Sequence, residues 1–274
     1  MIMIRIYADS ACSIKKEELD KYNINLIPLK ILFNDKEYLD TELSKEEFYD
    51  NLVNKKIFPK TSLPNLTSVE DEINNLTKEG DDVIIVTLSS GISGTNNAFR
   101  LMFENNPKVK IIDSLGAVGI MRLIIEEIIK NINEPVDKIL EKVNVLIPKI
   151  KLMAVPDTLT YLLRGGRLSK KEWLIGSILQ IKPIIGFIDG KVKVVEKTRG
   201  IKKAMRIIID TVSNNANLNY PIIAPYTYNR ENVDELVNQL PDNIKNDVKI
   251  YDDLSFSIAA HWGPGAYGLI YVEK

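Results

Sequence analysis

A loop of small and hydroxyl-bearing residues follows a buried strand in the segment 83–99, which reads VIIVTLSSGISGTNNAF. In open parallel sheets, ligands bind at the carboxyl ends of the strands, where the next helix offers free N–H groups and the positive end of its dipole. Ser93 and Thr95 add hydroxyl donors, while Gly91 and Gly94 let a ligand approach the backbone. The pattern predicts an anion site, with capping of the helix by Ser93 or Thr95 as the alternative.

Thr61 and Ser62 form a second pair of hydroxyls, between Pro59 and Pro64. Proline restricts the backbone, so these hydroxyls are held in place with little further loss of conformational entropy. The pair therefore suits a binding site, and the alternative is an ordinary N-cap for the helix that follows.

The only histidine of the chain, His261, lies in the segment 259–268, AAHWGPGAYG. It follows a short apolar run and precedes Gly263-Pro264-Gly265, a tight turn that predicts a position at the mouth of a strand. Imidazole donates a hydrogen bond to a carboxylate when it is neutral and pairs with it when charged. A lone histidine is more often structural, and the flanking glycines favour a ligand contact only modestly, so both interpretations stay open here.

Three arginines lie beside glycines. Arg164 and Arg167 flank a glycine pair in the segment 163–169, LRGGRLS, and Arg199 precedes Gly200. Guanidinium groups in such loops suit a phosphate or a protein partner, because they form paired hydrogen bonds with oxyanions. A solvated turn at a helix end is the alternative.

The composition argues against several classes of function. The chain has 36 basic and 37 acidic residues, a balance that disfavours nucleic acid as the main ligand. Arg5 and Asp9 interrupt the apolar N-terminus, so we expect no signal peptide or membrane helix and a cytoplasmic protein. Cys12 is the only cysteine, which excludes an internal disulfide and, with a single histidine, argues against a structural zinc site.

The scaffold that positions these residues begins with short apolar runs alternating with amphipathic stretches, which is typical of a parallel sheet covered by helices. The predicted strands are Ile4–Ala8, Leu26–Phe33, Val83–Leu88 and Val109–Asp113. The predicted helices contain Val69, Ile73 and Leu76, then Ala98, Leu101 and Met102, then Leu123–Ile132, and last a helix that Pro135 opens and Pro148 interrupts. We predict an N-terminal three-layer α/β/α domain with a parallel sheet, covering residues 1–148.

After residue 148 the pattern changes. Asp189-Gly190 joins two apolar runs and predicts a β-hairpin, which implies antiparallel pairing. The predicted elements are strands at Leu152–Val155, Lys182–Ile188, Val192–Lys197, Pro221–Tyr226, Val248–Tyr251 and Leu269–Val272, helices at Leu159–Leu163 and Lys202–Val212, and a loop at Ser213–Asn219. We predict a C-terminal α+β domain with a mixed, largely antiparallel sheet over residues 149–274, and an α/β fold overall.

These segments together resemble the DegV family, whose fatty-acid-binding members include the FakB subunits of bacterial fatty acid kinase. The resemblance covers the whole chain, and its segments occur in the family's order. They are Asp9-Ser10, Thr61-Ser62, LSSGISGT at 88–95, IDS at 112–114, GGRLS at 165–169, Lys182-Pro183 with the Asp-Gly turn, Arg199-Gly200, and His261 with Gly-Pro-Gly.

The resemblance implies that the ligand is a long-chain fatty acid, palmitate-like or oleate-like, in an apolar tunnel, with no metal or other cofactor. Its carboxylate would contact Thr61 and Ser93, with His261 and the backbone of Gly94 close by. Ser62 and Thr95, in the same loops, complete the expected site.

The resemblance also implies a protein partner. A separate ATP-using kinase subunit would phosphorylate the carboxylate, so this chain would carry an acyl group for phospholipid synthesis without catalysis of its own, and with transient contact to a membrane surface. Arg164, Arg167 and Arg199 would then face the kinase.

Two other functions stay open from the residues alone. A serine acyl hydrolase would use Ser93 as nucleophile and His261 as base, with Asp9 orienting the histidine. A nucleotide-binding domain would use the glycine loops, although no Gly-Lys-Ser/Thr triplet is present.

Overall fold

The computed structural model describes residues 3–176, 181–251 and 254–274, and within them the strands form three sheets. The strands are β1 (Ile4–Asp9), β2 (Ile24–Ile27), β3 (Lys30–Phe33), β4 (Lys36–Leu39), β5 (Lys60–Ser62), β6 (Asp82–Thr87), β7 (Val109–Asp113), β8 (Ile150–Val155), β9 (Ile181–Ile188), β10 (Lys191–Arg199), β11 (Ile222–Pro225), β12 (Val248–Tyr251) and β13 (Tyr267–Val272). The helices are α1 (Lys16–Tyr22), α2 (Lys45–Tyr49), α3 (Leu66–Lys78), α4 (Thr95–Met102), α5 (Gly119–Lys130), α6 (Val136–Leu146), α7 (Thr160–Arg164), α8 (Lys170–Gly176), α9 (Ile201–Asn215), α10 (Glu231–Asn238), α11 (Asp242–Lys245) and α12 (Phe256–Trp262).

The first sheet is parallel throughout, in the order β2-β1-β6-β7. Helices cover both of its faces, since Val83 and Ile85 of β6 pack with α3 and α4, whereas Ile84 and Val86 pack with α1 and α5. A strand buried on both faces consists of a continuous apolar run, which is why the sequence reveals it. The predicted three-layer architecture with a parallel sheet is confirmed.

The second sheet has the order β10-β9-β8-β13-β11-β12 and is antiparallel except for the β11–β12 pair. Asp189 and Gly190 join β9 to β10 with φ angles of 49° and 73°, as a type I′ turn requires. The mixed, largely antiparallel sheet is therefore confirmed. Its first strand begins at Ile150, and the division of the chain into domains at residue 148 stays a prediction.

The predicted strand Leu26–Phe33 is wrong as one element, because it splits between two sheets. Residues up to Ile27 pair with β1, whereas Lys30–Phe33 forms the centre of a small antiparallel sheet with the order β4-β3-β5. Pro28 lacks an N–H for a ladder, and the amide of Leu29 bonds to the Ser10 hydroxyl at 2.9 Å instead. This third sheet was not predicted.

The surroundings of His261 also differ from the prediction. The apolar run before it forms the short helix α12, so the ring lies in the last turn of a helix and not at the mouth of a strand. The helix ends at Gly263, whose φ of 75° reverses the chain towards β13.

Other boundaries shift by smaller amounts. The helix predicted at Leu123–Ile132 covers Gly119–Lys130, and α9 extends through residues 213–215 of the predicted loop. The side chain of Asn215 donates to the carbonyl of Thr211 at 2.9 Å and so stabilises the last turn of α9. The other predicted elements lie within a few residues of their expected bounds.

Candidate ligand-binding site

A cavity of about 240 Å³ lies between the loop after β6, the end of β5 and one face of α12. Ser62, Leu63 and Gly94 of its lining are exposed, whereas Leu88 and Ala117 are buried, so the cavity leads from the surface into the core. The apolar lining residues are Leu29, Leu63, Leu88, Ile92, Ala117, Leu162, Val192, Ile258 and Trp262. The remaining lining residues are Thr61, Ser62, Ser93, Gly94, Arg167, Ser257 and His261.

The structure thus brings five of the six expected carboxylate-binding residues to one cavity: Thr61, Ser62, Ser93, Gly94 and His261. The sixth, Thr95, is fully buried behind Ser93 and is not part of the lining. Their roles in binding are treated below as a proposal.

Thr61 and His261 are joined by a hydrogen bond of 2.9 Å between Oγ1 and Nε2. Pairing of Thr61 with Ile31 holds the hydroxyl in β5, so Thr61 does not cap the following helix, whose N-cap is Asn65. Burial, together with the nearby charge of Arg167, lowers the pKa of His261 to about 3. The ring is therefore neutral at physiological pH and has one donor nitrogen and one acceptor nitrogen.

Gly165 creates the space that the histidine ring occupies. A Cβ at this position would lie 2.1 Å from Nδ1 of His261, so any other residue would displace the ring. Gly166 has a φ of 73° and forms the turn towards Arg167. The two glycines of LRGGRLS are therefore needed for different reasons. Gly165 leaves room for the ring of His261, and Gly166 allows the turn.

Ser93 combines the two functions that its sequence context allows. Its Oγ lies 2.9 Å from the Thr95 hydroxyl and accepts a hydrogen bond from the Thr95 amide at 3.3 Å, so it stabilises the start of α4. The same side chain lines the cavity. Since Thr95 can donate to Ser93, the hydrogen of Ser93 is available to a ligand.

Two aspartates fix the loop that carries Ser93. Asp9, at the end of β1, accepts from the amides of Leu88 at 2.7 Å and Ala11 at 3.0 Å. Asp113, at the end of β7, accepts from the amide of Ser90 at 3.1 Å. The strands on both sides of β6 therefore both hold the first part of its terminal loop. The local sequence around these aspartates does not reveal this role.

The hairpin turn of the second sheet contacts the same loop. The hydroxyl of Ser89 donates to the carbonyl of Gly190 at 2.7 Å, and a Cβ at Gly91 would lie 2.5 Å from that carbonyl. Val192, two residues after Gly190, lines the cavity. The Asp-Gly turn therefore closes one wall of the site, a consequence that its local sequence does not reveal.

The three arginines occupy different surroundings. Arg167 is half-buried in the cavity wall, where it donates to the carbonyl of Ile92 at 3.0 Å and to that of Gly165, and burial lowers its pKa. Arg164 is exposed and stacks 3.8 Å above the ring of Phe58. Arg199 is exposed at the end of β10, the end that lies away from the hairpin turn. Only Arg167 of the three lines the cavity.

The geometry does not assemble the triad of an acyl hydrolase. Nε2 of His261 bonds to Thr61, and the two oxygens of Asp9 accept backbone amides. Asp9 is thus engaged elsewhere and does not orient the histidine.

No group of three or more histidine, cysteine, aspartate or glutamate residues is placed to hold a metal ion within the ranges that the structure describes. In the same part of the chain, none of the helices combines the length and apolar character needed to cross a bilayer.

Comparison with known proteins identifies relatives along the full chain. A family model described as "Uncharacterised protein, DegV family" matches residues 3–274. A DegV domain-containing protein of Clostridium acetobutylicum is 33% identical over 288 residues, which cover 100% of both chains.

Solved structures agree with this result. A fatty acid binding DegV family protein from Streptococcus agalactiae superposes with a TM-score of 0.89 at 27% identity, covering 100% of both chains. A stearic acid-binding protein from Eubacterium ventriosum superposes with a TM-score of 0.84 at 26% identity, covering 100% of this chain and 99% of the other.

Gly165→Ala should move the ring of His261, because the new methyl group would occupy its position. We expect a loss of about 1–3 kcal/mol in the free energy of unfolding and a rise in the pKa of His261 as the ring becomes more hydrated. NMR titration of the single histidine measures that pKa directly.

Gly166→Ala is the matched control, since no atom lies within 4 Å of its added Cβ. That variant should lose about 1 kcal/mol through left-handed backbone strain and keep the histidine pKa of the wild type. Equal histidine pKa values in wild type and Gly165→Ala would contradict the packing argument.

Asp9 should make stability depend on pH. Burial raises the pKa of Asp9 from 3.8 to about 7, so the folded protein binds a proton that the unfolded chain has released, and wild type loses stability as pH rises between these values. Asn at this position does not titrate, but its side-chain nitrogen cannot accept one of the two amides that Asp9 binds on separate oxygens. Asp9→Asn should therefore be less stable than wild type at low pH, and the difference should shrink by on the order of a few kcal/mol across the window. Urea denaturation at a series of pH values measures the difference.

Asp113→Asn is a control in which a carboxylate that holds the same loop is replaced while its hydrogen bonds are kept. Asp113 accepts both of its amides, from Ser90 and Leu115, on the same Oδ1, and the amide oxygen of Asn can accept both. We expect a change below about 1 kcal/mol at neutral pH for this control. A pH profile of Asp9→Asn that runs parallel to that of wild type would contradict the assignment.

Proposed function

The chain belongs to the DegV family, and we propose that it binds one long-chain fatty acid in the cavity between the β6 loop and α12. The observation that carries the proposal is the lining itself, which is apolar towards the core and carries hydroxyls, a neutral histidine and one guanidinium. The fatty acid binding described for the Streptococcus agalactiae and Eubacterium ventriosum proteins supports the same ligand class.

In this proposal the carboxylate lies among Thr61, Ser93 and His261. A carboxylate removed from water needs several hydrogen-bond donors, because leaving it unpaired costs several kcal/mol. The neutral histidine can donate from Nε2 to the Thr61 oxygen, which frees the Thr61 hydrogen for the ligand. Ser93 and the amide of Gly94 supply further donors from the opposite loop.

Arg167 is proposed to add the compensating charge. Its guanidinium lies in the cavity wall, and among the described residues no carboxylate forms an ion pair with it. A partly dehydrated guanidinium is stabilised by an ion pair with an anion, and in this proposal the anion is the ligand carboxylate. This assignment moves Arg167 from the expected kinase contact to the binding site itself.

The acyl chain is proposed to supply most of the affinity. Buried side chains such as Leu29, Leu88 and Trp262 form the inner wall, and each buried CH₂ contributes about 0.8 kcal/mol. A tail of palmitate length therefore gains on the order of ten kcal/mol before ordering costs, well above one head-group hydrogen bond. The tail sets affinity and the polar end sets orientation.

We propose further that the chain presents this carboxylate to a separate ATP-dependent fatty acid kinase and carries the acyl group for phospholipid synthesis. Ser62, Leu63 and Gly94 are exposed at the opening, so the carboxylate end is the end that a partner can reach. The exposed Arg164 and Arg199 are the proposed kinase contacts.

Ser93→Ala should weaken fatty acid binding by about 1–3 kcal/mol, because one donor to a charged group is lost. Calorimetry with palmitate and oleate measures the effect after lipid extraction of the purified protein. Lipid mass spectrometry of that extract should show a fatty acid.

Ser90→Ala is the control on the same loop, since the Ser90 side chain is exposed and does not line the cavity. Its affinity should equal that of wild type. Absence of extracted lipid together with no binding of either fatty acid would contradict the proposed function.

The kinase proposal has its own test. With a candidate kinase subunit and ATP, palmitate-loaded protein should yield acyl phosphate, which hydroxylamine traps as a hydroxamate. Arg164→Ala and Arg199→Ala should lower that yield while palmitate affinity stays unchanged, because both side chains lie outside the cavity. Unchanged yields in both variants would contradict their assignment to the partner surface.

A further inference from the structure

Ser257 is a hydroxyl-bearing residue in the inner wall of the cavity. It precedes His261 by one helical turn in α12, so both side chains lie on the same face of that helix. Ser257 is 3% exposed and lines the cavity beside Ile258 and Leu29. Its oxygen is therefore placed along the first part of an acyl chain whose carboxylate meets His261.

The hydrogen of Ser257 points away from the cavity, towards a buried cluster around Asp40. Oδ2 of Asp40 accepts from the hydroxyls of Ser10 and Ser255 at 2.6 Å each. The Ser257 oxygen lies 2.5 Å from the Ser255 oxygen, and its hydroxyl also hydrogen-bonds to Asp40. Since a carboxylate accepts, the Ser257 hydrogen is given to this cluster. Among the described residues, Ser255 and Asp40 are the hydrogen-bond partners of this hydroxyl, and neither belongs to the cavity lining.

The Ser10 hydrogen is directed to Asp40 as well. The amide of Leu29 donates to Ser10 at 2.9 Å, so the Ser10 hydrogen is free to bond to Asp40. Asp40 is buried at 4% exposure and collects these hydroxyl hydrogens. The cavity side of Ser257 is consequently an acceptor and not a donor.

We infer that Ser257 accepts a hydrogen bond from a hydroxyl near the carboxyl end of the acyl chain, so that hydroxylated long-chain fatty acids are a ligand class for this cavity. The inference rests on the proposed fatty acid binding and adds a substrate class to it. An unsubstituted chain leaves the acceptor unpaired, whereas a ligand hydroxyl in an apolar wall is costly unless a partner meets it. The ligand hydroxyl would donate the hydrogen bond, and the Ser257 oxygen would accept it.

The test compares palmitate with α-, β- and ω-hydroxypalmitate by calorimetry on delipidated full-length protein. In wild type, a hydroxyl at the α or β carbon should be tolerated or should tighten binding, and the ω-hydroxyl, far from Ser257, should weaken it. Ser257→Ala should weaken the favoured α- or β-hydroxy acid relative to palmitate by roughly fivefold, the effect of one hydrogen bond. Taking the ratio of hydroxy acid affinity to palmitate affinity in each protein corrects for any general loss of affinity in the variant.

The outcomes separate the two proposals. If palmitate does not bind at all, the proposed function itself fails. If palmitate binds but Ser257→Ala leaves the ratio of hydroxy acid to palmitate unchanged, Ser257 is a purely structural hydroxyl and the inference is overturned. Should the variant fold poorly, equal penalties for the α-, β- and ω-hydroxyls in wild type overturn it as well.

Discussion

The site depends on the hydrogen bond between Thr61 and His261, residues 200 positions apart in the chain. It joins the small antiparallel sheet to the last turn of α12 and so completes the polar part of the cavity. Burial keeps this ring neutral by lowering the pKa of His261 to about 3, so the ring can donate from Nε2 to Thr61 without adding a charge to the site. The bond needs a ring in this place, which requires glycine at position 165. One contact therefore constrains the residue type at three distant positions, Thr61, Gly165 and His261.

The opposite side of the cavity follows from a second constraint, the position of the loop after β6. Backbone amides at Leu88 and Ser90 bond to Asp9 and Asp113, and the hairpin turn at Gly190 covers the loop. A parallel sheet brings these strand ends to one edge, so the aspartates that follow neighbouring strands can hold the loop between them. The proposed donors from Ser93 and Gly94 are rigid for this reason, which limits the entropy lost on binding.

The sequence predicts those parts of the molecule that local patterns determine. The strand β6, the turn at Asp189-Gly190 and the hydroxyl-rich loop each follow from residues that are adjacent in the sequence, and the sequence predicts all three. The errors arose where distant contacts decide. Pro28 divides an apolar run between two sheets, and α12 forms from a run short enough for a strand. The sequence also gives no local sign that Arg167 lines the cavity while Arg164 is exposed. Local residue patterns contain no information on which of two neighbouring arginines faces inward.

The central claim is that an anionic head group lies among Thr61, Ser93 and His261 while its alkyl chain lies in the core. The most direct measurement is the ¹³C NMR spectrum of carboxyl-labelled palmitate bound to the protein, followed from mildly acidic to mildly alkaline pH. The account predicts one bound resonance, distinct from free palmitate and constant over this range, because buried donors and the Arg167 charge hold the carboxylate ionised. A bound resonance that titrates as free fatty acid does would place the head group in solvent and contradict the account.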